Sequence, residues 1–162
     1  MHVREATAGD WAAIWPFFHE IVAAGDTYSY DRDLTEEDAR GLWMLSPPGR
    51  TVVAVDDDGA ILGSAKMHPN QGGPGAHVAT ASFMVDPTRA GRGVGRALGE
   101  HVIAAAPHAG YRALQFNAVV ETNTAAVALW RSLGLEVLTT IPEAFDHPEL
   151  GYVGLHVMHR RL

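Results

Sequence analysis

The stretch that decides the fold of this chain reads VDPTRAGRGVGRAL and occupies residues 85–98. It follows an apolar run, residues 81–85, that is typical of a buried strand. Asp86-Pro87 ends the strand, because proline fixes its own φ and restricts the residue before it. Three glycines in alternate positions then lead into apolar residues four apart, which predict a helix. The order is therefore strand, glycine-rich turn and helix.

A turn of this kind predicts an anion-binding site. Glycine tolerates positive φ and lets the backbone approach a ligand closely. The first N–H groups of the helix have no partner within it, and the helix dipole is positive there, so phosphate is the expected ligand. The spacing fits neither a Walker loop nor a dinucleotide fingerprint, and a turn that simply requires glycines is the alternative. The residues concerned are Arg89, Gly91, Arg92, Gly93, Val94, Gly95 and Arg96.

Composition narrows the class of protein. The 162 residues, 47% of them hydrophobic and 19% charged, predict one globular domain over residues 1–162. We expect a cytoplasmic protein, because the chain has no apolar run near 18 residues and no signal-peptide character. The net charge of −7 argues against a nucleic-acid-binding protein, and the absence of cysteine excludes disulfides and thiolate metal sites.

The remaining pattern predicts an α/β fold with the element order βααβββαβαββ. The first helix begins at Asp10 and ends at Gly25, and Pro16 within it predicts a kink or an early break. Thr35 caps a second helix, and another helix begins at Asn123. The predicted strands are residues 3–6, 51–55, 60–68, 76–85, 111–120, 135–141 and 151–158, with residues 142–150 as a connection between the last two.

Two motifs resemble those of the GNAT superfamily, the acetyl-CoA-dependent N-acyltransferases. The segment Gly93-Val94-Gly95 fits the second half of the family pattern Arg/Gln-x-x-Gly-x-Gly/Ala, although Ala90 stands at the Arg/Gln position. The segment NTAAVALWRSLGL, residues 123–135, is similar to the second signature, Asn-x-x-Ala-x-x-x-Tyr-x-x-x-Gly-Phe. Trp130 replaces its tyrosine, which is often the general acid.

The resemblance implies the GNAT fold, a mixed and mostly antiparallel sheet of about seven strands flanked by helices. It also implies acetyl-CoA as co-substrate and a cleft between the fourth and fifth strands. An indole N–H does not titrate near neutral pH, so Trp130 is not the usual proton donor. Another group protonates the leaving thiolate, or the thiolate leaves unaided or is protonated through water. The implied cofactor-binding residues are the glycine turn already described together with Met84, Val85, Asn123, Ala126 and Trp130, with the oxyanion donor a backbone N–H near Met84-Val85.

One branch of the family fits more closely. The segments around His68-Pro69-Asn70 and residues 77–85 look like the fungal proline-analogue N-acetyltransferases, which acetylate azetidine-2-carboxylate. That branch carries three asparagines where this chain has Thr80, Asn117 and Asn123. The amino-acid N-acyltransferases related to phosphinothricin acetyltransferase are the runner-up. They share a region like Thr27-Tyr28 but carry a Glu near Thr80, which is absent here.

The implied reaction is direct attack of a small neutral amine on the acetyl thioester. We expect His77 to act as general base, because an unperturbed histidine titrates near neutral pH, with Asn117 and Thr80 orienting the amine by hydrogen bonding. A rim histidine and ordinary polar strand residues are the alternatives. Glu143 and His147 are weaker candidates from the last connection. The predicted acceptor-binding residues are Tyr28, Tyr30, Phe83 and Asn117.

Other interpretations of the sequence stay open. A non-catalytic acyl-CoA-binding sensor is favoured by Trp130 and by the missing Glu, and an enzyme acting on protein N-termini requires an open groove. A metal site is not expected, since His156 and His159 fall on opposite faces of a strand and His68 and His77 have no third ligand. The expected partners are acetyl-CoA, a small amine and a second copy paired through the last strands, with no nucleic acid or membrane.

Overall fold

The computed structural model describes residues 1–162 and has the predicted element order βααβββαβαββ. The strands are β1 (His2–Glu5), β2 (Arg50–Val55), β3 (Ile61–Pro69), β4 (Val78–Val85), β5 (Ala113–Val120), β6 (Glu136–His147) and β7 (Gly151–Arg161). The α-helices are α1 (Trp11–Ala24), α2 (Glu36–Trp43), α3 (Val94–His108) and α4 (Thr124–Ser132).

All seven strands form one mixed sheet in the order β1-β2-β3-β4-β5-β7-β6. Every neighbouring pair is antiparallel except β4 and β5, which are parallel. The predicted seven-stranded, mostly antiparallel sheet is therefore confirmed, and the single parallel pair lies at its centre.

Both faces of the sheet are covered by helices. Along β2, Val52 and Ala54 pack in the cluster that contains α3 and α4, whereas Val53 and Val55 pack in the cluster that contains α1 and α2. Successive side chains of a strand point to opposite faces. This explains why β2 is an uninterrupted apolar run rather than an alternating one.

The early break expected at Pro16 was wrong, because α1 continues through Pro16 to Ala24. Its apolar stripe, which includes Ile14, Phe18 and Val22, is buried against the sheet. That packing compensates for the hydrogen bond that proline cannot donate. The helix ends as predicted at Gly25, which adopts the left-handed conformation with φ of 71°.

The connection expected over residues 142–150 was too long. Strand β6 continues to His147 and pairs with β7 again from Phe145 onward. Pro142 is tolerated because β6 is an edge strand and because the register shifts between Ile141 and Phe145, where a missing N–H interrupts little pairing. Only residues 148–150 connect the two strands.

The β6–β7 edge exposes several apolar side chains, among them Leu138, Ile141 and Tyr152. Self-association through these strands stays a prediction. None of the helices is both long and apolar enough to cross a membrane.

We predict that Gly63→Ala destabilises the protein by about 1–3 kcal/mol, because overpacking a tight interior costs about that much. A Cβ at Gly63 lies 2.7 Å from the Met84 carbonyl oxygen and 3.0 Å from Val94 Cγ1, so β3 has no room for it beside β4 and α3. The measurement is the free energy of unfolding in urea. Gly41→Ala is the control: nothing lies within 4 Å of its Cβ in α2, and we expect stabilisation of about 0.5–1 kcal/mol. Equal effects at the two glycines contradict this account.

Candidate active site

The site begins where β4 and β5 separate. Their parallel pairing consists of Val78 with Ala113 and Ala79 with Leu114, and no later residues pair. Beyond that point the two strands form the sides of a cleft. The predicted cleft between the fourth and fifth strands is therefore present.

The separation exposes one edge of β4. Asp86 N–H donates to the Leu62 carbonyl, at 2.9 Å, and Val78 C=O accepts from Asn70 N–H, at 2.8 Å, so the even-numbered residues of β4 bond to β3. The odd-numbered residues consequently turn their N–H and C=O groups to the cleft. Within the predicted Met84-Val85 pair, Val85 faces the cleft with its backbone and Met84 bonds to β3.

Tyr28 occupies part of this edge. Its hydroxyl donates to the Phe83 carbonyl oxygen, at 2.5 Å, and accepts from the Phe83 N–H, at 3.0 Å. Burial raises the pKa of Tyr28 above its usual value, so the hydroxyl stays protonated at neutral pH. Tyr30 stacks on Tyr28 with ring centroids 5.6 Å apart. These hydrogen bonds attach the loop between α1 and α2 to the cleft edge of β4.

A cavity of about 800 Å³ fills the cleft and the space under this loop. Its size is suited to a small-molecule ligand. It brings together most of the predicted residues from four separate segments of the chain. Those that line it are Tyr28, Tyr30, Thr80, Phe83, Met84, Val85, Asn117, Asn123, Ala126 and Trp130.

The glycine turn lies outside the cavity wall, at the start of α3. Gly91 and Gly93 have φ of 77° and 78°, and the space that a Cβ would occupy is open at both, so positive φ rather than crowding requires glycine there. The first N–H to find a partner in α3 is that of Ala97, which bonds to Gly93 C=O. The N–H groups of Gly95 and Arg96, which have no hydrogen-bonding partner, suit phosphate, with Arg92 close by.

Three residues of the turn, Val94, Gly95 and Arg96, have packing or hydrogen-bonding roles within the protein. Val94 is buried in the core. A Cβ at Gly95 lies 3.3 Å from Leu129 Cδ2, so this glycine lets α4 pack closely against α3. The Arg96 guanidinium donates to Ser132 Oγ, at 2.7 Å, and lies 3.5 Å from Glu100. Val94 and Gly95 therefore offer only backbone groups for the predicted cofactor contact, whereas the exposed Arg96 guanidinium keeps further N–H donors.

The second motif forms the opposite wall. Asn123 caps α4, since its Oδ1 accepts from Ala126 N–H at 3.3 Å, and its Nδ2 remains a donor. Trp130 packs against Phe83 and Phe116 with ring centroids 4.5 and 5.1 Å apart. The residue at the usual tyrosine position is therefore part of an apolar floor.

A profile of the acetyltransferase (GNAT) family matches residues 13–135. The chain belongs to this family. It is an acetyl-CoA-dependent acyltransferase. The unpaired helix N–H groups, the Asn123 amide and the cleft edge of β4 supply hydrogen-bonding groups of the kind that acetyl-CoA requires.

Similar proteins support the assignment. N-acetyltransferase aca1 of Schizosaccharomyces pombe is 26% identical over 142 residues, which cover 79% of this acetyltransferase and 68% of the yeast protein. This confirms the predicted resemblance to a fungal N-acetyltransferase. A GCN5-related N-acetyltransferase from Kribbella flavida is 64% identical, with a TM-score of 0.97 over 99% of this chain and 97% of that one. A Sinorhizobium meliloti phosphinothricin acetyltransferase in complex with acetyl-CoA shares the fold, at 23% identity and a TM-score of 0.87 over 99% and 87% of the two chains.

Asn117 lies in an irregularity of β5. The register with β7 shifts between Phe116 and Val119, which inserts an extra residue in β5, as in a bulge that redirects side chains. Its Nδ2 donates to Asn70 Oδ1, at 2.6 Å, and its Oδ1 accepts from Gln115 Nε2, at 3.0 Å. Asn117 thus connects β5 to the β3–β4 connection at the rim of the acetyltransferase cavity.

The histidine in the cavity is His68, and His77 is exposed and lies outside the lining. The geometry therefore does not support the expected role of His77. His68 pairs with Thr80 across β3 and β4. Its Nδ1 lies 2.9 Å from the Pro69 carbonyl, which only accepts, so Nδ1 carries the proton and Nε2 of the neutral ring is free to accept one. The sequence contained one signal that could have identified His68. Side chains alternate along a strand, which places His68 on the same face of β3 as Lys66.

The weaker candidates from the last strands do not reach the cavity lining. Glu143 is exposed on β6, and His147 Nδ1 accepts from the N–H groups of Glu149 and Leu150. The His156 Nδ1 lies 2.7 Å from Thr140 Oγ1. No group of three His, Asp or Glu side chains is arranged to hold a metal ion.

We predict that Tyr28→Phe lowers the free energy of unfolding by about 1–3 kcal/mol, because the N–H and C=O of Phe83 both lose their partner. Urea denaturation measures the change. Tyr152→Phe is the matched control, since Tyr152 is 70% exposed and its loss of a hydroxyl should leave stability unchanged. A Tyr28→Phe protein as stable as the wild type contradicts the anchoring role.

Proposed function

We propose that this acetyltransferase moves an acetyl group from acetyl-CoA to the amine of a small acceptor, an amino acid or amino-acid analogue, by direct attack in a ternary complex. The observation that carries the proposal is a cavity at the gap between β4 and β5 that is lined by residues from both faces of the sheet. One face suits the cofactor and the other a small polar amine.

The cofactor side is the face covered by α3 and α4. Phe83, Phe116 and Trp130 form its apolar floor. The α3 N-terminus and the Asn123 amide supply donors beside it. This arrangement supports acetyl-CoA entering from the α3–α4 face, with its acetyl group at the cleft edge of β4.

The acceptor side is the face covered by α1 and α2. Met84 packs in that cluster, so Ser82 and Thr80, two and four residues away, share its face. Lys66 and His68 stand opposite them on β3. Tyr28 and Tyr30 line the same cavity from the loop between α1 and α2, with the Tyr30 ring centroid 5.7 Å from Lys66 Nζ. A pocket bordered by this loop supports a small acceptor over a protein N-terminus, which needs an open groove.

The chain's own groups can be given roles on this basis. When bound, the acetyl thioester supplies an electrophilic carbonyl. The cleft-facing N–H of Val85 donates to an oxygen placed beside β4. Thr80 and Asn117 orient the acceptor amine by hydrogen bonds, and His68 Nε2 takes the amine proton. Tyr28, which stays protonated, keeps the edge of β4 in place.

Release of CoA from acetyl-CoA tests the proposal with a panel of amines. We expect kcat/KM to be at least about tenfold higher for azetidine-2-carboxylate, proline, phosphinothricin or other free amino acids than for a polyamine or a short peptide, because the loop that carries Tyr28 and Tyr30 leaves less room for the longer acceptors. Faster release with the peptide or the polyamine overturns the proposal. Calorimetry with acetyl-CoA alone verifies that each preparation binds its co-substrate.

A matched pair of variants tests the base. We predict that His68→Gln lowers kcat/KM by about 100-fold or more, the usual contribution of a general base. His77→Gln, which changes the exposed histidine, should alter kcat/KM by less than about twofold. A large loss with His77→Gln and none with His68→Gln would restore the assignment made from the sequence.

A further inference from the structure

The acceptor side of the cavity contains a buried cation. Lys66 is the only lysine among 12 basic residues, and it is 7% exposed on β3. Its side chain lines the cavity beneath Tyr30. Lysine is almost never buried without a charged partner, so its environment calls for an explanation.

The partners of Lys66 are all neutral. Its Nζ donates to the Leu42 carbonyl, at 2.7 Å, and lies 5.7 Å from the centroid of Tyr30 and 5.5 Å from that of Trp43. No carboxylate lies within ion-pair distance, since the ion pairs of the structure involve other residues. An ammonium group has three donors, and a single carbonyl leaves two without a hydrogen-bonding partner.

The acidic side chains that border the cavity do not neutralise this charge. They are Glu20 and Asp26, both exposed, and neither pairs with Lys66. Burial lowers the pKa of Lys66, which is the expected effect of removing an ammonium from water without a counter-ion. An anion that enters the cavity therefore supplies the missing partner.

The spacing to the other polar groups sets the size of that anion-bearing ligand. Lys66 and His68 are two residues apart on one face of β3, which corresponds to roughly 7 Å along a strand. Ser82 stands opposite Lys66, and Thr80 opposite His68. A carboxylate at Lys66 and an amine at His68 are thus separated by a distance that one amino acid and its two hydrogen bonds span.

We propose that Lys66 binds the carboxylate of the acceptor, so that the substrate of this enzyme is an amine with an anionic group close to the reacting nitrogen. The inference rests on the proposed function and deepens it. The neutral Leu42 carbonyl and the two aromatic rings hold the ammonium in position before the acceptor arrives. The acceptor's charge, rather than a residue of the chain, completes the ion pair.

The test compares each free amino acid with its own carboxamide, for a cyclic and a linear amino acid. For the wild type we expect kcat/KM to favour the acid by about 10- to 100-fold, the usual range for a charge-assisted hydrogen bond. In Lys66→Met this preference should fall to near one, mainly through KM for the acid, while the carboxamide rate stays within a fewfold. Lys66→Arg, which keeps the charge, should retain part of the preference.

Two further measurements separate a binding role from a structural one. Calorimetric titration of the amino acid into CoA-saturated enzyme should show weaker binding in Lys66→Met and unchanged binding in Arg40→Met, which removes an exposed cation of α2. The Tm of Lys66→Met should be no lower than that of the wild type, because replacing an unpaired buried charge by an apolar side chain is often stabilising. If Lys66→Met does not fold, the wild-type ratio of acid to carboxamide and the Lys66→Arg variant still decide.

The outcomes distinguish the two proposals. Equal wild-type activity on acid and carboxamide, or an equal loss on both in Lys66→Met, overturns the role of Lys66 and leaves amino-acid acetylation standing. Activity confined to peptides or polyamines overturns the proposed function itself.

Discussion

The constraint on which the rest of this structure depends is the short parallel pairing of β4 with β5. After Ala79 and Leu114 the strands have no further backbone hydrogen bonds to each other. The backbone groups of β4 and β5 that face the gap need other hydrogen-bonding partners, because an unpaired N–H or C=O that is buried costs free energy. The cleft is thus a gap in the sheet, and contacts made by residues on either side of the gap hold it open.

Different parts of the chain keep the two edges in place. On β4, the hydroxyl of Tyr28 pairs with both backbone groups of Phe83. On β5, the shifted register near Asn117 redirects its side chain, which then bonds to Asn70 in the β3–β4 connection. Behind the gap, Trp130 fills the space with an aromatic ring. The cavity is consequently lined by segments far apart in the chain.

The alternation of side chains along β3 and β4 then divides the cavity into two environments. Residues such as Ala79 and Ala81 pack toward α3 and α4, in the larger core. Residues such as Met84 and Lys66 point toward α1 and α2. Because the period of a strand is two, a single sheet presents an apolar surface toward α3 and α4 and a surface with polar residues toward α1 and α2. The buried charge of Lys66 is tolerated on the second surface, where a carbonyl and two aromatic rings surround it.

The sequence by itself determined the local features: the strand, glycine turn and helix around residue 93, the caps at Thr35 and Asn123, and the family motifs that imply acetyl-CoA. These depend on residues within one turn or one strand of each other, so their physics is readable from spacing. Only the tertiary structure decided that α1 passes through Pro16, that His68 rather than His77 lines the cavity, and that Tyr28 bonds to a strand 55 residues away. Those outcomes depend on which distant surfaces pack together, and burial energy, summed over the whole sheet, outweighs the local preferences from which a sequence is read.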